Sequence, residues 1–209
     1  MKKKIYRLLD IIGCFFDLLK ISLLYHAYQS ARDRIYTGFL RMQFRKFGKS
    51  VIMWRAYHLK GLGNITIGDN NIFECDLQLT VWDNISPTAT ILIGDGCMIR
   101  RGAHISASYN ITIGNNLLTG TNVFITDNSH GDTSFNSIRN SPDDRPIISK
   151  GAVIIGDNVW LGNNVCVLPG VTIGNNAIIG ANSVVTHDIP SFTVVGGAPA
   201  RIIKTFTKK

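Results

Sequence analysis

A branched aliphatic residue recurs at every sixth position through the C-terminal part of this 209-residue chain. The residues of this ladder are Ile155, Leu161, Val167, Ile173, Ile179 and Val185. Six residues of α-helix turn through about 600°, which moves the sixth side chain about 120° from the starting face. A coil of three short strands joined by tight corners instead turns every sixth residue inward, where it stacks on its equivalents. The ladder therefore predicts a parallel β-helix.

Glycine followed by Asp or Asn ends many of the strand-like runs, as in Gly156-Asp157-Asn158 and Gly174-Asn175-Asn176. These residue types tolerate positive φ and therefore suit tight corners. The ladder extends upstream in shifted frames through Ile67, Phe73, Leu79, Ile93, Ile99, Ile105, Ile113, Thr119 and Ile125. The frame shifts predict insertions at corners near residues 83–89 and 107–109.

The six-residue period lapses between about residues 127 and 150, where the sequence reads DNSHGDTSFNSIRNSPDDRPIISK. This stretch is polar and contains two prolines, so we interpret it as a loop that protrudes from the coil. A long excursion from a regular solenoid is more often functional than accidental. We therefore expect functional residues in this loop.

Three parts follow from these patterns: a basic helical segment at residues 1–50, the β-helix at 51–198 and a tail at 199–209. A β-helix must cover its open ends, because unpaired strand edges invite association. The N-terminal helices can cover one end. For the other end we predict a short C-terminal helix that begins near Pro199.

The N-terminal segment has an amphipathic pattern, with apolar residues at helical spacing on one face and charged residues on or near the other. Asp10, Asp17 and Lys20 interrupt the apolar run, and no small-residue cleavage site follows. The pattern therefore favours neither a signal peptide nor a membrane span. Two roles stay open for the apolar face: packing on the β-helix or a neighbouring subunit, and docking at a membrane interface.

Positive charge is concentrated at the N-terminus. Residues 1–60 carry 13 Lys and Arg against 3 Asp, whereas the other 149 residues carry 9 basic and 11 acidic side chains. No aromatic-interleaved basic sheet, zinc spacing or recognition helix accompanies this charge, so we do not expect nucleic-acid binding. An anionic membrane surface or an anionic ligand explains the charge more simply.

The four cysteines, Cys14, Cys75, Cys97 and Cys166, are widely spaced, and no histidine stands near them at ligand spacing. Free thiols in a reducing compartment follow, and we predict no bound metal. Together with the basic N-terminus, this predicts a cytoplasmic protein that can lie peripherally on the inner face of the membrane.

Three stretches resemble the hexapeptide-repeat acyltransferases: ITDNSHGD, VIIGDNVWLGNNVCVLPGVTIGNNAIIGANSVVTHDIP and VVGGAPARIIK. The resemblance covers roughly residues 60–205 and is strongest to the sugar O-acetyltransferases, including those of capsule and O-antigen gene clusters. It implies a left-handed coil, an exception to the usual handedness of crossovers. It also implies a homotrimer with active sites between subunits, and acetyl-CoA as the co-substrate.

His130 is the candidate catalytic residue, because it lies in the protruding loop where the resemblance places the essential histidine of sugar acetyltransferases. A hydroxyl group is a poor nucleophile near neutral pH. A neutral imidazole within hydrogen-bond reach can remove its proton as the oxygen attacks a thioester. The resulting imidazolium can then protonate the departing thiolate.

Asp127 and Asn128 precede His130 and can either orient its ring and contact the acceptor or cap loop turns. Arg100 occupies the position where galactoside-type enzymes carry an acceptor-assisting Asn, and it can bind an acidic acceptor or remain solvated. Arg145 can meet an anionic acceptor or pair with Asp143 or Asp144. Asp127, Asn128 and Arg100 are the predicted substrate contacts, and for Arg145 we favour the pairing.

The resemblance also assigns cofactor contacts. Along the pantetheine arm it implies Trp160, Asn163, Ala181 and Thr186, and near the phosphates it implies Arg201 and Lys204. The tail carries a basic cluster of Arg201, Lys204, Lys208 and Lys209, which suits a polyanionic nucleotide.

The sequence therefore predicts an acetyl-CoA-dependent O-acetyltransferase that acts on a sugar hydroxyl of a surface polysaccharide or of its lipid-linked precursor. N-acetylation of an amino sugar, or acetylation of a xenobiotic or another small molecule, is the alternative. The alternative from another functional class is a non-catalytic β-helix that serves as an assembly module.

Overall fold

Short parallel strands stack into three sheets in the computed structural model, which describes residues 2–18 and 21–207. The first three coils contain β1 (Lys46–Phe47), β2 (Ile52–Met53), β3 (His58–Lys60), β4 (Ile65–Ile67), β5 (Ile72–Phe73), β6 (Gln78–Val81), β7 (Thr90–Ile93), β8 (Met98–Ile99) and β9 (His104–Ala107). The β-helix thus begins inside the segment predicted to be helical.

The fourth coil is followed by a hairpin and then by the last coils. These strands are β10 (Asn110–Ile113), β11 (Leu118–Thr119), β12 (Phe124–Thr126), β13 (Asn128–His130), β14 (Ile147–Ser149), β15 (Val153–Ile155), β16 (Trp160–Leu161), β17 (Cys166–Val167), β18 (Thr172–Ile173), β19 (Ile178–Ile179), β20 (Val184–Val185), β21 (Thr193–Gly196) and β22 (Arg201–Thr205).

Each coil contributes one strand to each sheet. Sheet A has the order β1-β4-β7-β10-β15-β18, sheet B the order β2-β5-β8-β11-β16-β19-β21-β22, and sheet C the order β3-β6-β9-β12-β17-β20. Strands from one coil to the next are parallel and in register, so equivalent positions stack about 4.8 Å apart along the axis.

The six-residue ladder forms the core, as the sequence predicted. Every ladder residue from Ile155 to Val185 is at most 1% exposed, and the upstream rungs are buried with them. Except at Thr119, the same sheet position is filled by an aliphatic or aromatic side chain at every rung, which gives a continuous interior. Burial of this stack is the main source of stability.

Glycine and Asx residues build the corner between sheets A and B. At this corner the peptide N–H of the Asx after the glycine donates, in four coils, to the side chain of the Asx one coil further on, as from Asp157 to Asn175 Oδ1 at 2.8 Å. The Asp157 carboxylate in turn accepts from Asn115 N at 2.6 Å. The next residue turns the chain with positive φ, for example 56° at Asn158.

The corner between sheets C and A differs from the other two. Four residues separate the sheet A strand from the sheet B strand in each of the six coils, and four separate the sheet B strand from the sheet C strand. The connections from sheet C back to sheet A vary widely, and the longest runs from Asp127 to Ala152. The corner insertions predicted near residues 83–89 and 107–109 both lie on this edge.

Two helices precede the β-helix: α1 (Lys2–Leu18) and α2 (Ile21–Arg41). The C-terminal half of α2 packs on the first coil, where Thr37 Oγ1 accepts from the Met53 peptide N–H at 2.9 Å and Leu40 enters the core. In contrast, α1 is exposed on both faces from Lys2 to Phe16. Met1, Leu19 and Lys20 lie outside the described residues, and none of the described helices is long and apolar enough to cross a membrane.

The C-terminal tail is a strand, so the prediction of a short helix at residues 199–209 is wrong. β22 pairs antiparallel with β21 and extends sheet B beyond the last coil. Its β-branched residues Ile202, Ile203 and Thr205 favour extended backbone, and β21 offers an unpaired edge to which they can bond. Lys208 and Lys209 of the predicted basic cluster lie outside the described residues.

Candidate active site

A two-stranded hairpin carries His130 away from sheet C. β13 leaves the end of β12 and pairs antiparallel with β14, with His130 opposite Ile147. Gly131 follows at a φ of 70°, a conformation that glycine adopts without strain, and its N–H donates to Pro146 O at 2.8 Å. Beyond it lies the short helix α3 (Phe135–Ile138), which Ser134 caps through a hydrogen bond from Ser137 N. His130 therefore sits on a paired strand rather than at a loop tip.

Asp127 anchors the base of this hairpin and is fully buried. Its carboxylate accepts hydrogen bonds from Ser108 N at 2.7 Å, Tyr109 N at 2.9 Å and Asn128 Nδ2 at 3.1 Å. Both carboxylate oxygens are thus hydrogen-bonded inside the protein. This placement contradicts the prediction that Asp127 contacts the acceptor or orients His130, and gives it a structural role instead.

Asn128 ties the hairpin to the preceding coil. Its amide donates to the main-chain carbonyl of Ser106 at 3.0 Å, and its own N–H donates to Thr126 Oγ1 at 3.2 Å. Its amide does not reach the His130 ring. Unlike Asp127, Asn128 lines both clefts beside His130, so it can touch a bound molecule.

On one side of His130 lies a cleft of about 580 Å³ formed with the fourth, fifth and sixth coils. We name it the C-terminal cleft. Besides the hairpin, the residues that line it are Phe124, Thr126, Lys150, Leu168, Pro169 and Thr186. Thr186 is thus the one predicted cofactor contact that shares a cleft with His130 in this chain.

On the other side of His130 lies a cleft of about 460 Å³ formed with the second, third and fourth coils. We name it the N-terminal cleft. Its walls include Trp82, His104, Ser106, Phe124, Arg145 and Ile147. Burial lowers the pKa of the His104 imidazole, and neighbouring His58 lowers it further, so His104 favours its neutral form.

Arg145 braces the hairpin. Its guanidinium donates to the main-chain carbonyl groups of Asn140 and Ile138 at 3.0 and 3.1 Å. In the described part of the chain it forms no ion pair with Asp143 or Asp144, so the predicted pairing is wrong. One edge of the group still lines both clefts.

Arg100 lies away from His130. Its Nη1 forms an ion pair with Glu74 Oε1 at 2.7 Å, and the two side chains line a separate recess of about 360 Å³ with Trp160 and Asn163. The recess opens on sheet B and on the corner between sheets B and C. The structure therefore places this predicted acceptor contact with predicted cofactor contacts.

The remaining predicted cofactor residues also lie outside the two clefts. Asn163 Oδ1 accepts from Thr121 N at 2.9 Å, which commits that oxygen to the corner between sheets B and C. Ala181 is at the same corner, against Gly162. Arg201 and Lys204 are exposed on β22, where the Lys204 ammonium lies 4.5 Å from the Phe206 ring centroid.

The cysteines do not contribute a nucleophile near His130. All four are unpaired thiols, and burial raises the pKa of Cys75, Cys97 and Cys166. Within the described ranges, no three His, Cys, Asp or Glu side chains lie close enough together to hold a metal ion. Sequence reasoning missed Trp82, Lys150 and Pro169. All three lie in connections from sheet C to sheet A, and this shared position is the feature that could have identified them.

Comparisons with known proteins match this architecture. A family model described as bacterial transferase hexapeptide (six repeats) matches residues 152–187. The chain is 38% identical over 152 residues to WbbJ of Escherichia coli K12, which is named as an O-acetyl transferase of lipopolysaccharide biosynthesis; the match covers 71% of this chain and 76% of WbbJ. It is 34% identical over 139 residues to the galactoside O-acetyltransferase of the same organism, covering 66% of this chain and 63% of that enzyme.

Solved structures agree. The hexapeptide-repeat acetyltransferase VCA0836 of Vibrio cholerae superposes with a TM-score of 0.56 at 26% identity, covering 84% of this chain and 82% of that one. A galactoside acetyltransferase in complex with coenzyme A superposes with a TM-score of 0.52 at 28% identity, covering 80% and 68%.

Proposed function

The chain belongs to the hexapeptide-repeat family of acetyltransferases and has the family's left-handed parallel β-helix; from this premise we propose that it transfers the acetyl group of acetyl-CoA to a hydroxyl group of a sugar. The observation that carries the proposal is the position of His130, which is the histidine shared by two clefts on opposite sides of one hairpin. Transfer between two bound molecules requires such an arrangement, with one group in reach of both.

The C-terminal cleft holds the thioester end of acetyl-CoA in this proposal, because Thr186 lines it. The N-terminal cleft holds the acceptor. His130 accepts the proton of the acceptor hydroxyl as its oxygen attacks the thioester carbonyl carbon. The tetrahedral intermediate then collapses, the C–S bond breaks, and the imidazolium returns the proton to the CoA thiolate. The acetyl group leaves as an ester of the sugar, with no covalent enzyme intermediate.

The proposed homotrimer accounts for the separation of most predicted cofactor contacts from His130 within a single chain. Trp160, Asn163, Ala181, Arg201 and Lys204 lie on sheet B and its corner with sheet C, whereas His130 projects from the edge between sheets C and A. A homotrimer with active sites between subunits brings the hairpin of one subunit against sheet B of the next. The pantetheine arm then lies along Trp160, Asn163 and Ala181, and the phosphates lie near Arg201 and Lys204. Arg100 becomes an acceptor or cofactor contact only in such an assembly.

For the acceptor, similarity to WbbJ supports a hydroxyl of a surface polysaccharide or of its lipid-linked precursor. A release assay tests the reaction class: acetyl-CoA is incubated with the full-length protein and matched acceptors, and free CoA thiol is titrated. We expect release with sugars such as methyl glycosides and di- or oligosaccharides, and a product that alkaline hydrolysis returns to the parent sugar. Release only with amino sugars, as an alkali-stable amide, would instead establish the N-acetylation alternative.

Helix α1 supports a second part of the proposal, which is that the protein binds to a membrane surface. Ile5, Leu8, Leu9 and Phe15 of α1 are each at least 50% exposed, and Lys2, Lys3, Lys4 and Arg7 are exposed beside them. A helix of this composition lies in the interface of an anionic bilayer, with its apolar face among the acyl chains and its cations at the head groups. The protein then works at the cytoplasmic face of the membrane, where lipid-linked glycans are built.

Vesicle sedimentation tests this part separately from the enzymatic part. The protein should sediment with phosphatidylglycerol vesicles and less with phosphatidylcholine vesicles, and Leu9→Glu should release it. Ile85→Glu, which places the same charge at an exposed apolar residue of a β-helix corner, is the matched control and should sediment normally. Equal sedimentation of both variants would refute the membrane role and leave the proposed reaction intact.

A further inference from the structure

Trp82 lines the wall of the N-terminal cleft, and Lys60 lies over its indole; neither residue has a role in the proposed reaction. We propose that they are the specificity subsite of the acceptor, in which Trp82 stacks a pyranose ring and Lys60 binds an anionic group carried by that sugar, a carboxylate or a phosphate. This inference rests on the proposed function in one respect, which is that the bound sugar is the acceptor. Binding of the anionic sugar itself can be measured without turnover.

The indole of Trp82 is held in place from two directions. Its Nε1–H donates to Ser106 Oγ at 3.0 Å, and its peptide N–H donates to Ala107 O at 2.8 Å. The main-chain carbonyl of Ser106 also accepts from the Asn128 amide, which lies two residues before His130. The ring is thus pre-positioned and linked to the catalytic hairpin through one residue. A fixed aromatic ring loses little entropy when a sugar packs its C–H face against it.

Lys60 projects from β3 and lies over the same indole. Its ammonium is 4.1 Å from the centre of the Trp82 ring, within the range of a cation–π interaction. Among the described residues it has no ion-pair partner, whereas Arg32, Arg100 and Arg101 each have one. The ring orients the ammonium without neutralising it, so its charge is available to a ligand.

The other charged groups of this cleft leave Lys60 unneutralised. Arg145 lines it, and Asp143 is the one carboxylate among the residues described there. His104 also lines it and favours its neutral form, so it adds a hydrogen-bonding ring without a charge. One carboxylate therefore stands against Arg145, and Lys60 beside Trp82 adds a further positive charge.

The dimensions suit a sugar. A volume of about 460 Å³ lies in the ordinary range for small-molecule sites and accommodates a pyranose with a charged substituent. Trp82 belongs to the second coil and His130 to the hairpin of the fourth, two coil spacings or about 10 Å apart along the axis. Lys60 belongs to the first coil, one spacing beyond Trp82, so the anionic group lies at the end of the acceptor remote from His130.

Ligand-observed NMR on the full-length protein tests the subsite without requiring catalysis. The probes are D-glucuronate, α-D-glucose 1-phosphate and methyl α-D-glucopyranoside, which share a ring and differ in charged group. We expect at least one anionic probe to bind more tightly than the neutral glycoside. Lys60→Met, which keeps the stem and removes the charge, should weaken that probe about tenfold and leave the glycoside unchanged.

Lys46→Met is the matched control, because it removes the same charge from an exposed residue on sheet A and should not alter binding. Trp82→Leu should weaken all three probes through loss of the stacking ring. The two anionic probes tell a carboxylate subsite from a phosphate subsite. The inference is overturned if neither anion binds, if the neutral glycoside binds as tightly as both, or if the anion preference survives Lys60→Met. Anion preference without acetyl transfer to any sugar would overturn the proposed reaction and leave the subsite standing.

Discussion

The corner between sheets A and B and the edge between sheets C and A both connect neighbouring sheets in coil after coil, yet they are built differently. At the first, every coil uses four residues, and a Gly-Asx ladder bonds each turn to the next. At the second, the connections range from two residues to 26, and both Trp82 and the hairpin that carries His130 lie there. Because the ladder fixes the stacking at one corner, the chain can leave the coil at another without losing register. We propose that the uniform corner is scaffold and that the variable edge carries the functional residues.

Adding one methyl group at each of the two corners should give the largest difference in stability between them. A Cβ on Gly114, at the uniform corner, would lie 2.8 Å from Gly156 C and 3.0 Å from Asp157 N, which are backbone atoms of the next coil. Gly114→Ala should therefore lower the free energy of unfolding by about 1–3 kcal/mol in denaturant titration. Gly63→Ala, at the variable edge with nothing within 4 Å, should change it by no more than about 0.5 kcal/mol. Equal effects would contradict the division into scaffold and variable edge.

At the variable edge, Asp127 holds the base of the hairpin through hydrogen bonds to backbone N–H groups. Asp127→Asn places an amide nitrogen beside a backbone N–H, so one donor at Ser108 or Tyr109 loses its acceptor. We expect a loss of about 1–3 kcal/mol in thermal unfolding, together with lower acetyl transfer because the hairpin base shifts. The exposed corner residue Asp83 gives the control, since Asp83→Asn should alter neither property. Transfer and stability at wild-type levels in Asp127→Asn would rule out the anchoring role.

Much of this difference between the two corners could be predicted from the sequence. The six-residue period gave the inward positions, and its frame shifts located the insertions and the loop with His130. The tail was misread because Pro199 suggested a helix start, while the open edge of β21, which recruits Ile202 and Ile203 into a strand, exists only once the coils have formed. The Arg100–Glu74 pair and the Trp82 wall were equally hidden, since they join residues from different coils whose register depends on insertion length.

The smallest effect concerns His104 on the outer face of sheet C. Burial lowers its pKa in the folded protein, so the unfolded chain binds a proton more readily. Its contribution to stability is complete above the unfolded pKa of about 6.5 and is lost as pH falls toward and below the folded value. His104→Gln should therefore flatten the decline of unfolding free energy on acidification below about pH 6.5. His26→Gln, on exposed α2, controls for loss of a histidine, and an unchanged slope in His104→Gln would contradict the assignment.

Acetyl transfer by His130→Gln tests the central claim most directly, with acetyl-CoA affinity measured on the same preparation by calorimetry. If His130 is the base between two clefts, kcat should fall about 10²–10⁴-fold while acetyl-CoA still binds with wild-type affinity and the variant keeps its oligomeric state. His26→Gln should retain full activity. Wild-type kcat in a correctly folded and assembled His130→Gln protein would contradict the account.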